Sequence, residues 1–212
     1  MAVIFSIIPG VLIAWLLSKR AGLVISIINI IVHLPLVLPP VVVGYLLLIL
    51  FSHNGPIGHF LNHFFNISIN FSWKGAVLAS AVVSFPLLVR AIKLGFDNLD
   101  DKITEAAMIH GANKITCFFT ITIPQILPAL VTGITLAFAR GIAEFGATIT
   151  FVSNIPGETR TLPLALYAIS SIPGSDYIAL RLLIISILLA IIAITISEIL
   201  SKKSLKKSKG IE

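Results

Sequence analysis

Charge is what this sequence has least of. Only 11% of its 212 residues are charged, against roughly 25% in a soluble domain. Hydrophobic residues make up 57% and the mean hydropathy is +1.05, so the chain is expected in a membrane rather than in water. A single cysteine, Cys117, excludes an internal disulfide and supplies no metal cluster. It is read as a small apolar residue at a helix start. No G-x-x-x-x-G-K-[ST] occurs, so the chain has no P-loop with which to cradle nucleotide phosphates. No H-E-x-x-H or G-x-S-x-G occurs either, which counts against a membrane-embedded hydrolase. The length suits one domain and leaves no room for a separate soluble ATPase.

The hydrophobic residues form runs long enough to cross a bilayer, which takes about 20 residues. The runs at 2–17, 27–51, 74–95, 124–145 and 177–200 predict an all-α integral membrane protein of about five transmembrane helices. The first run is short. It makes a poor secretory signal, because no basic region precedes it and Lys19-Arg20 follows it. Lys and Arg mark cytoplasmic loops. Lys19 and Arg20 sit in the first loop, and Arg90, Lys93, Lys102 and Lys114 surround the third. The loops at 52–73 and 146–176 carry only Arg160 between them. The N-terminus is therefore placed outside and the C-terminus inside. The net charge of +6 is not a nucleic-acid signal, because Lys202, Lys203, Lys206, Lys207 and Lys209 directly follow the last span. As a basic cytoplasmic tail over 202–212, each adds about 1 kcal/mol of attraction to anionic membrane lipid.

Between the third and fourth spans lies a short, charged, helix-forming segment, with a helix expected over about 98–111. Asp97 or Asp100 can cap its start, and Asp100, Asp101 and Glu105 complement the helix dipole. Ile103, Ala106, Ala107 and His110 share one face. Ala106 and Ala107 lack bulk, so another protein surface can approach the backbone. Gly111 suits the left-handed residue that ends a helix. A stiff exposed helix of this kind transmits rigid-body motion that a loop would absorb. A bare E-A-A would signify no more than an amphipathic connector.

Other residues stand out within or beside the spans. His33-Leu34-Pro35-Leu36-Val37-Leu38-Pro39-Pro40 interrupts the second span, since proline in a helix interior costs ~3 kcal/mol or more. Broken backbone at membrane depth lies against protein or a wet cavity, so Pro35, Pro39 and Pro40 are candidate pathway or gate residues, or a mere kink. Phe85-Pro86 interrupts the third span, and Pro124 and Pro128 mark re-entry into the fourth. Arg140 and Glu144 stand at i, i+4. They read as an intrahelical salt bridge or as a part of the pathway attractive to anions, since arginine at bilayer depth costs about 2.5–3.5 kcal/mol and turns to protein or water. His53, His59 and His63 in the outer loop read as interfacial histidines, because no cysteine or carboxylate completes a metal site. Asn154, Thr159, Arg160 and Thr161 are candidate contacts for a delivering protein, or belong to a plain surface loop.

Glu105-Ala106-Ala107, Gly111, Ile121 and Pro124 fall in the register of the EAA loop of ABC importer permeases, with Ile123 in place of the usual Leu. Three further stretches, His33–Tyr45, Phe71–Ala79 and Glu144–Thr161, resemble molybdate ABC transporter permeases, with sulfate and tungstate permeases as close neighbours. The resemblance runs from about Phe5 to Ser201. It implies the type I, MetI-like importer permease fold and a bacterial inner-membrane homodimer with the pathway at its interface. Glu105, Ala106, Ala107, Gly111, Ile121 and Pro124 would then form the socket for two cytoplasmic ATPase subunits. A periplasmic molybdate-binding protein would deliver the oxyanion. No cofactor is expected on this chain itself; ATP and Mg would be used by the partner ATPase. Members often start further upstream, so this N-terminus is read as incomplete or as beginning inside the first span. An ATP-independent channel or secondary transporter is the alternative of another class, and the EAA spacing argues against it.

Overall fold

In a computed structural model, residues 1–208 are described, without the side chains of Asp101, Ser197, Leu200 and 201–208. The chain forms α1 (Ala2–Lys19), α2 (Leu23–Val37), α3 (Pro40–Phe51), α4 (Pro56–Phe65), α5 (Trp73–Asp97), α6 (Asp101–Ile109), α7 (Lys114–Cys117), a π-helical turn (Phe118–Thr122), α8 (Ile123–Ile142), α9 (Gly146–Val152), α10 (Leu162–Ser170) and α11 (Asp176–Ser208). There is no strand among the described residues. Four stretches are long and apolar enough to cross a membrane: α1, α5, the run Lys114–Ile142, and Asp176–Ile196 of α11; α2 and α3 together make a fifth, bent span. Lys209 lies outside the described residues, as do the side chains of the other tail lysines.

α5 is the axis of the bundle and packs against α1, α2, α3, α8 and α9. Its two halves serve two cores. Leu88, Val89, Ile92 and Phe96, in the half toward the charged segment, meet Ala14 and Leu17 of α1 and Ile126 and Ala137 of α8. Ala76, Ala79 and Val83, in the other half, meet Val43 and Leu47 of α3 and Ala147, Phe151 and Val152 of α9. Hydrocarbon lipid gives helices no hydrophobic reason to associate, so membrane bundles rely on close backbone approach at small residues. The α5–α8 crossing has that form. A Cβ built on Gly95 would stand 2.5 Å from the Ala129 Cβ, and one on Gly133 would stand 3.1 Å from the Leu88 carbonyl oxygen.

The second expected span is not one helix. α2 and α3 meet at a bend of 119°. Neither Pro39 nor Pro40 has an N–H to give, and residues before proline turn extended. Leu38 accordingly takes φ −68°, ψ 142°, and Pro39 takes φ −54°, ψ 134°. The stretch 146–176, read from sequence as an outer loop, also differs. Its first part is α9, with Ala147, Thr148, Phe151 and Val152 fully buried, and its middle is α10. Seven residues of helix reach only ~10 Å, too short for the length criterion by which spans are recognised.

Valine at Gly95 is expected to force α5 and α8 apart at a cost of about 1–3 kcal/mol and to lower the melting temperature in detergent by several degrees. Alanine at Gly141, where the nearest atoms to a built Cβ lie 4.0 Å away, is expected to melt like the parent. Equal melting of the two variants would refute the close-packed crossing.

Candidate functional site

The segment between α5 and α8 is ordered by its own caps. Of the two aspartates that sequence offered, Asp100 takes the cap of α6, its Oδ1 accepting from the Lys102 N–H at 3.0 Å. Asp97 instead pairs with Lys93 one turn back. At the other end His110 is the C-cap and Gly111 has φ +92°. The Gly111 N–H donates to the Met108 carbonyl and the Ala112 N–H to the Ala107 carbonyl, each at 3.0 Å. That double return is a Schellman motif, which favours glycine at its left-handed residue. Asn113 then caps α7, its Oδ1 accepting from the Thr116 N–H at 2.8 Å.

α6 lies open. Glu105, Ala106 and His110 are exposed and Ala107 is half-buried. Ile109 is 84% and Ile115 is 72% exposed. Both flank the Gly111 turn in the charged segment, so two large apolar side chains stand uncovered beside it. A Cβ at Gly111 would meet nothing within 4 Å, so any steric limit there comes from outside this chain. Ile121 lies in the π-turn, where the Ile123 N–H reaches back to the Phe118 carbonyl. Pro124 lies within the first two residues of α8. Having no N–H, and with a ring that crowds the carbonyl four residues back, it keeps the preceding turn from closing as an α-turn.

The proline break and the Arg140–Glu144 pair converge. Pro40 starts α3, and a Cβ on Gly146, at the start of α9, would stand 2.9 Å from the Pro40 Cβ. One on Gly44 would stand 2.5 Å from the Ala147 carbonyl oxygen. Glu144 is 2% exposed. Its Oε2 accepts from Arg140 Nη1 at 2.7 Å and its Oε1 from the Ala147 N–H at 2.7 Å. The carboxylate thus ties α8 to α9 and neutralises the positive end of the α9 dipole. Arg140 remains partly open, its side chain 28% exposed. Pro35 stays inside α2, a turn before the bend.

The outer turn after α9 is built from its own side chains. Ser153 takes φ 63°. The Thr159 hydroxyl donates to the Ser153 carbonyl and accepts from the Ile155 N–H at 2.9 Å, and Thr159 is 2% exposed. Arg160 Nε donates to Asn154 Oδ1 at 2.9 Å, and Asn154 Nδ2 to the Leu164 carbonyl at 3.3 Å. Arg160 is exposed, while Asn154 and Thr161 are half-buried. Thr159 therefore shapes this turn rather than facing outward within the protomer. Glu158 was not singled out by sequence. Its Oε1 accepts from the Trp73 N–H at 3.2 Å, fastening the turn to the start of α5. A carboxylate near a helix start is the usual signal, but these residues lie 85 apart and no local pattern joins them. The histidines lie apart from all this. The His53 ring meets the Asn62 amide at 2.7 Å, and the His59 and His63 rings stack at 6.0 Å. No group of three or more metal-ligating side chains occurs among the described residues.

A five-span helical bundle, one span broken and a short exposed helix set between two others, has the make-up of a transport permease. The family described as "Binding-protein-dependent transport system inner membrane component" matches residues 6–206, and the chain belongs to it. It is a multi-pass inner-membrane component of an ABC transport system. The Escherichia coli molybdenum transport system permease protein ModB is 52% identical over 98% of this chain and 91% of its own length. The Haemophilus influenzae protein of that name is 50% identical over 97% and 90%. The sulfate transport system permease protein CysT of Salmonella typhimurium is 34% identical over 78% of this chain and 60% of its own. Among solved structures, the MetNI methionine ABC transporter in inward-facing conformations shares the fold, with a TM-score of 0.67 at 16% identity over 96% of this chain and 89% of that one. A bacterial alginate ABC transporter in complex with alginate pentasaccharide-bound periplasmic protein gives 0.68 at 17% identity over 98% and 75%.

Alanine at Arg140 leaves the Glu144 carboxylate buried without its cation, a change that costs about 3–5 kcal/mol for fully buried pairs and less here because Arg140 still meets solvent. A lower melting temperature is expected, with part of the loss recovered in Arg140→Ala/Glu144→Gln. A double-mutant cycle with no coupling would refute the tie.

Proposed function

We propose that this chain is the permease subunit of an ATP-driven, binding-protein-dependent molybdate importer, working as a homodimer by alternating access. The observation that carries the substrate is the identity of about half to molybdenum permeases over nearly the whole chain, against 34% over a shorter stretch to a sulfate permease. Sulfate, thiosulfate or tungstate is the second reading. Molybdate and sulfate are both tetrahedral dianions, and selection between them falls mostly to the periplasmic binding protein. Asn154, Arg160 and Thr161 on the outer turn are the side chains offered to that protein, with Thr159 holding their backbone.

Two cytoplasmic ATPases dock on Glu105, Ala106, Ala107 and Gly111. ATP and Mg act there; this chain binds no cofactor of its own. ATPase closure moves α6. Ile121 and Pro124, at the foot of α8, pass the motion into the bundle. The pathway runs by the bend at Pro35, Pro39 and Pro40 and by Arg140, whose charge favours an anion while Glu144 holds it in place. Moving a two-state equilibrium from 1:99 to 99:1 takes about 5.5 kcal/mol of differential binding, within reach of nucleotide-driven closure. The exposed Ile109 favours a partner protein over water at this surface, and so favours an ATP-coupled importer over a lone channel.

The test is ATP hydrolysis in proteoliposomes holding the permease, its ATPase and its binding protein loaded with molybdate, tungstate or sulfate. Molybdate is expected to stimulate hydrolysis well above sulfate; a sulfate preference keeps the mechanism and replaces the substrate, and no response to any oxyanion overturns the reading. In the same assay Gly111→Trp is expected to abolish stimulation. Gly111→Ala, whose cost is a left-handed backbone of about 1–2 kcal/mol, is expected to retain most of it. Normal coupling in Gly111→Trp would overturn the socket.

A further inference from the structure

Beside the exposed helix lies a groove of about 640 Å³, between the C-terminal half of α1 and the segment that re-enters the membrane. Its apolar walls include Leu12 and Trp15 of α1, Met108 of α6, and Phe118 and Phe119 of the π-turn. Lys19 and Lys114 also line it, and none of the described residues lining it is acidic. Within the protomer Phe119 is 65% exposed, Trp15 39% and Met108 37%.

The depth of these residues follows from the helix. Lys19 ends α1 at the charged side of the bundle, and Leu12 and Trp15 lie seven and four residues before it. At 1.5 Å per residue they sit ~10 Å and ~6 Å further into the bilayer. Lys114 opens α7, where the chain turns back toward the membrane. The groove therefore has an apolar floor in the hydrocarbon and two ammonium groups at its interfacial mouth, with a tryptophan between. Tryptophan favours that level, and lysine extends its charge to it while its stem covers apolar surface. Asp97 draws on the charge of Lys19 but is also bonded by Lys93, and Arg20 adjoins Lys19.

We propose that this groove holds an anionic phospholipid of the inner leaflet, one acyl chain along Leu12, Trp15 and Phe119 and the phosphate at Lys19 and Lys114. The site is independent of which oxyanion is transported. A lipid seated there touches α1, α6 and the π-turn together, so it would brace the coupling segment against the bundle.

The chain has two tryptophans, Trp15 and Trp73, so Trp73→Phe leaves Trp15 as the reporter. The full chain carrying that change is reconstituted in phosphatidylcholine vesicles with a minor fraction of brominated lipid. Brominated phosphatidylglycerol is expected to quench Trp15 at a concentration on the order of thirtyfold lower than brominated phosphatidylcholine, given about 1 kcal/mol for each of the two lysines at an anionic surface. Lys19→Gln/Lys114→Gln is expected to erase the preference and Lys19→Arg/Lys114→Arg to keep it. Quenching of every variant by a high fraction of brominated phosphatidylcholine checks that each is inserted. Equal quenching by both lipids at low fraction means a groove filled by bulk chains and overturns the proposal. Weak quenching by both means that protein covers Trp15, and overturns it too. A preference that survives Lys19→Gln/Lys114→Gln places the anionic lipid elsewhere and does the same.

Discussion

The close crossing of α5 and α8 is the contact on which the remainder of this protein depends. The segment from Asn98 to Thr122 leaves one of these helices and returns to the other. Its two feet are clamped where Gly95 meets Ala129 and Gly133 meets Leu88. The lever role proposed for α6 requires a base that does not give. With side chains of ordinary size at these positions the helices would stand apart, and force on α6 would spread into their relative sliding. Close backbone approach makes the pair one body, and the Schellman turn at Gly111 and the cap at Asp100 make α6 another. Between them lies the π-turn at 118–122, where helical hydrogen bonding changes register because Pro124 has no N–H to give.

The other half of α5 carries the opposite design. There the chain breaks twice near the same place, once at Leu38-Pro39-Pro40 and once between α8 and α9. Pro40 and Gly146 bring the two breaks into contact. Backbone interrupted within a bilayer leaves N–H groups that lipid cannot satisfy. Glu144 supplies one such partner, to Ala147, and Arg140 donates to the other oxygen of that carboxylate. The pair is thus the condition for having a short, buried α9 at all. Any role of Arg140 toward a passing anion is constrained by this bond, because a guanidinium held on one side by Glu144 offers only its remaining donors.

Much of this was legible in sequence because it rests on long-period signals. The five apolar runs, and the short charged helix between the third and fourth of them, survive translation into helices. Two things did not. The bend in the second span was visible as prolines, but its 119° angle depends on what α3 packs against, and that partner is α9. α9 itself was hidden, because seven residues fall below the length that marks a span, and its Gly-Ala-Thr-Ile-Thr-Phe-Val sequence has no charge to mark a boundary. The bond from Glu158 to the start of α5 was hidden for a different reason, since contacts distant in sequence leave no local pattern. Thr159 looked like an outward contact because threonine in a polar loop usually is one. Its burial follows from the left-handed Ser153, which folds the turn back over it.

Stiffness in the coupling segment also has a chemical limit that packing within the chain cannot remove. α6 is tied to the bundle by covalent connections and by light packing against α7 and the π-turn. Its own residues are largely exposed, and on the side of α1 it faces a groove instead of a protein core. A nine-residue helix is too short to hold its shape well on propensity alone. Whatever fills the groove, which Ile115 helps to line, and whatever covers Ile109 would therefore complete the proposed lever from two sides, one within the bilayer and one in water. Caps alone order α6 within the chain, and on the proposed function the two occupants would add the stiffness that ties transport to a seated partner rather than to the permease alone.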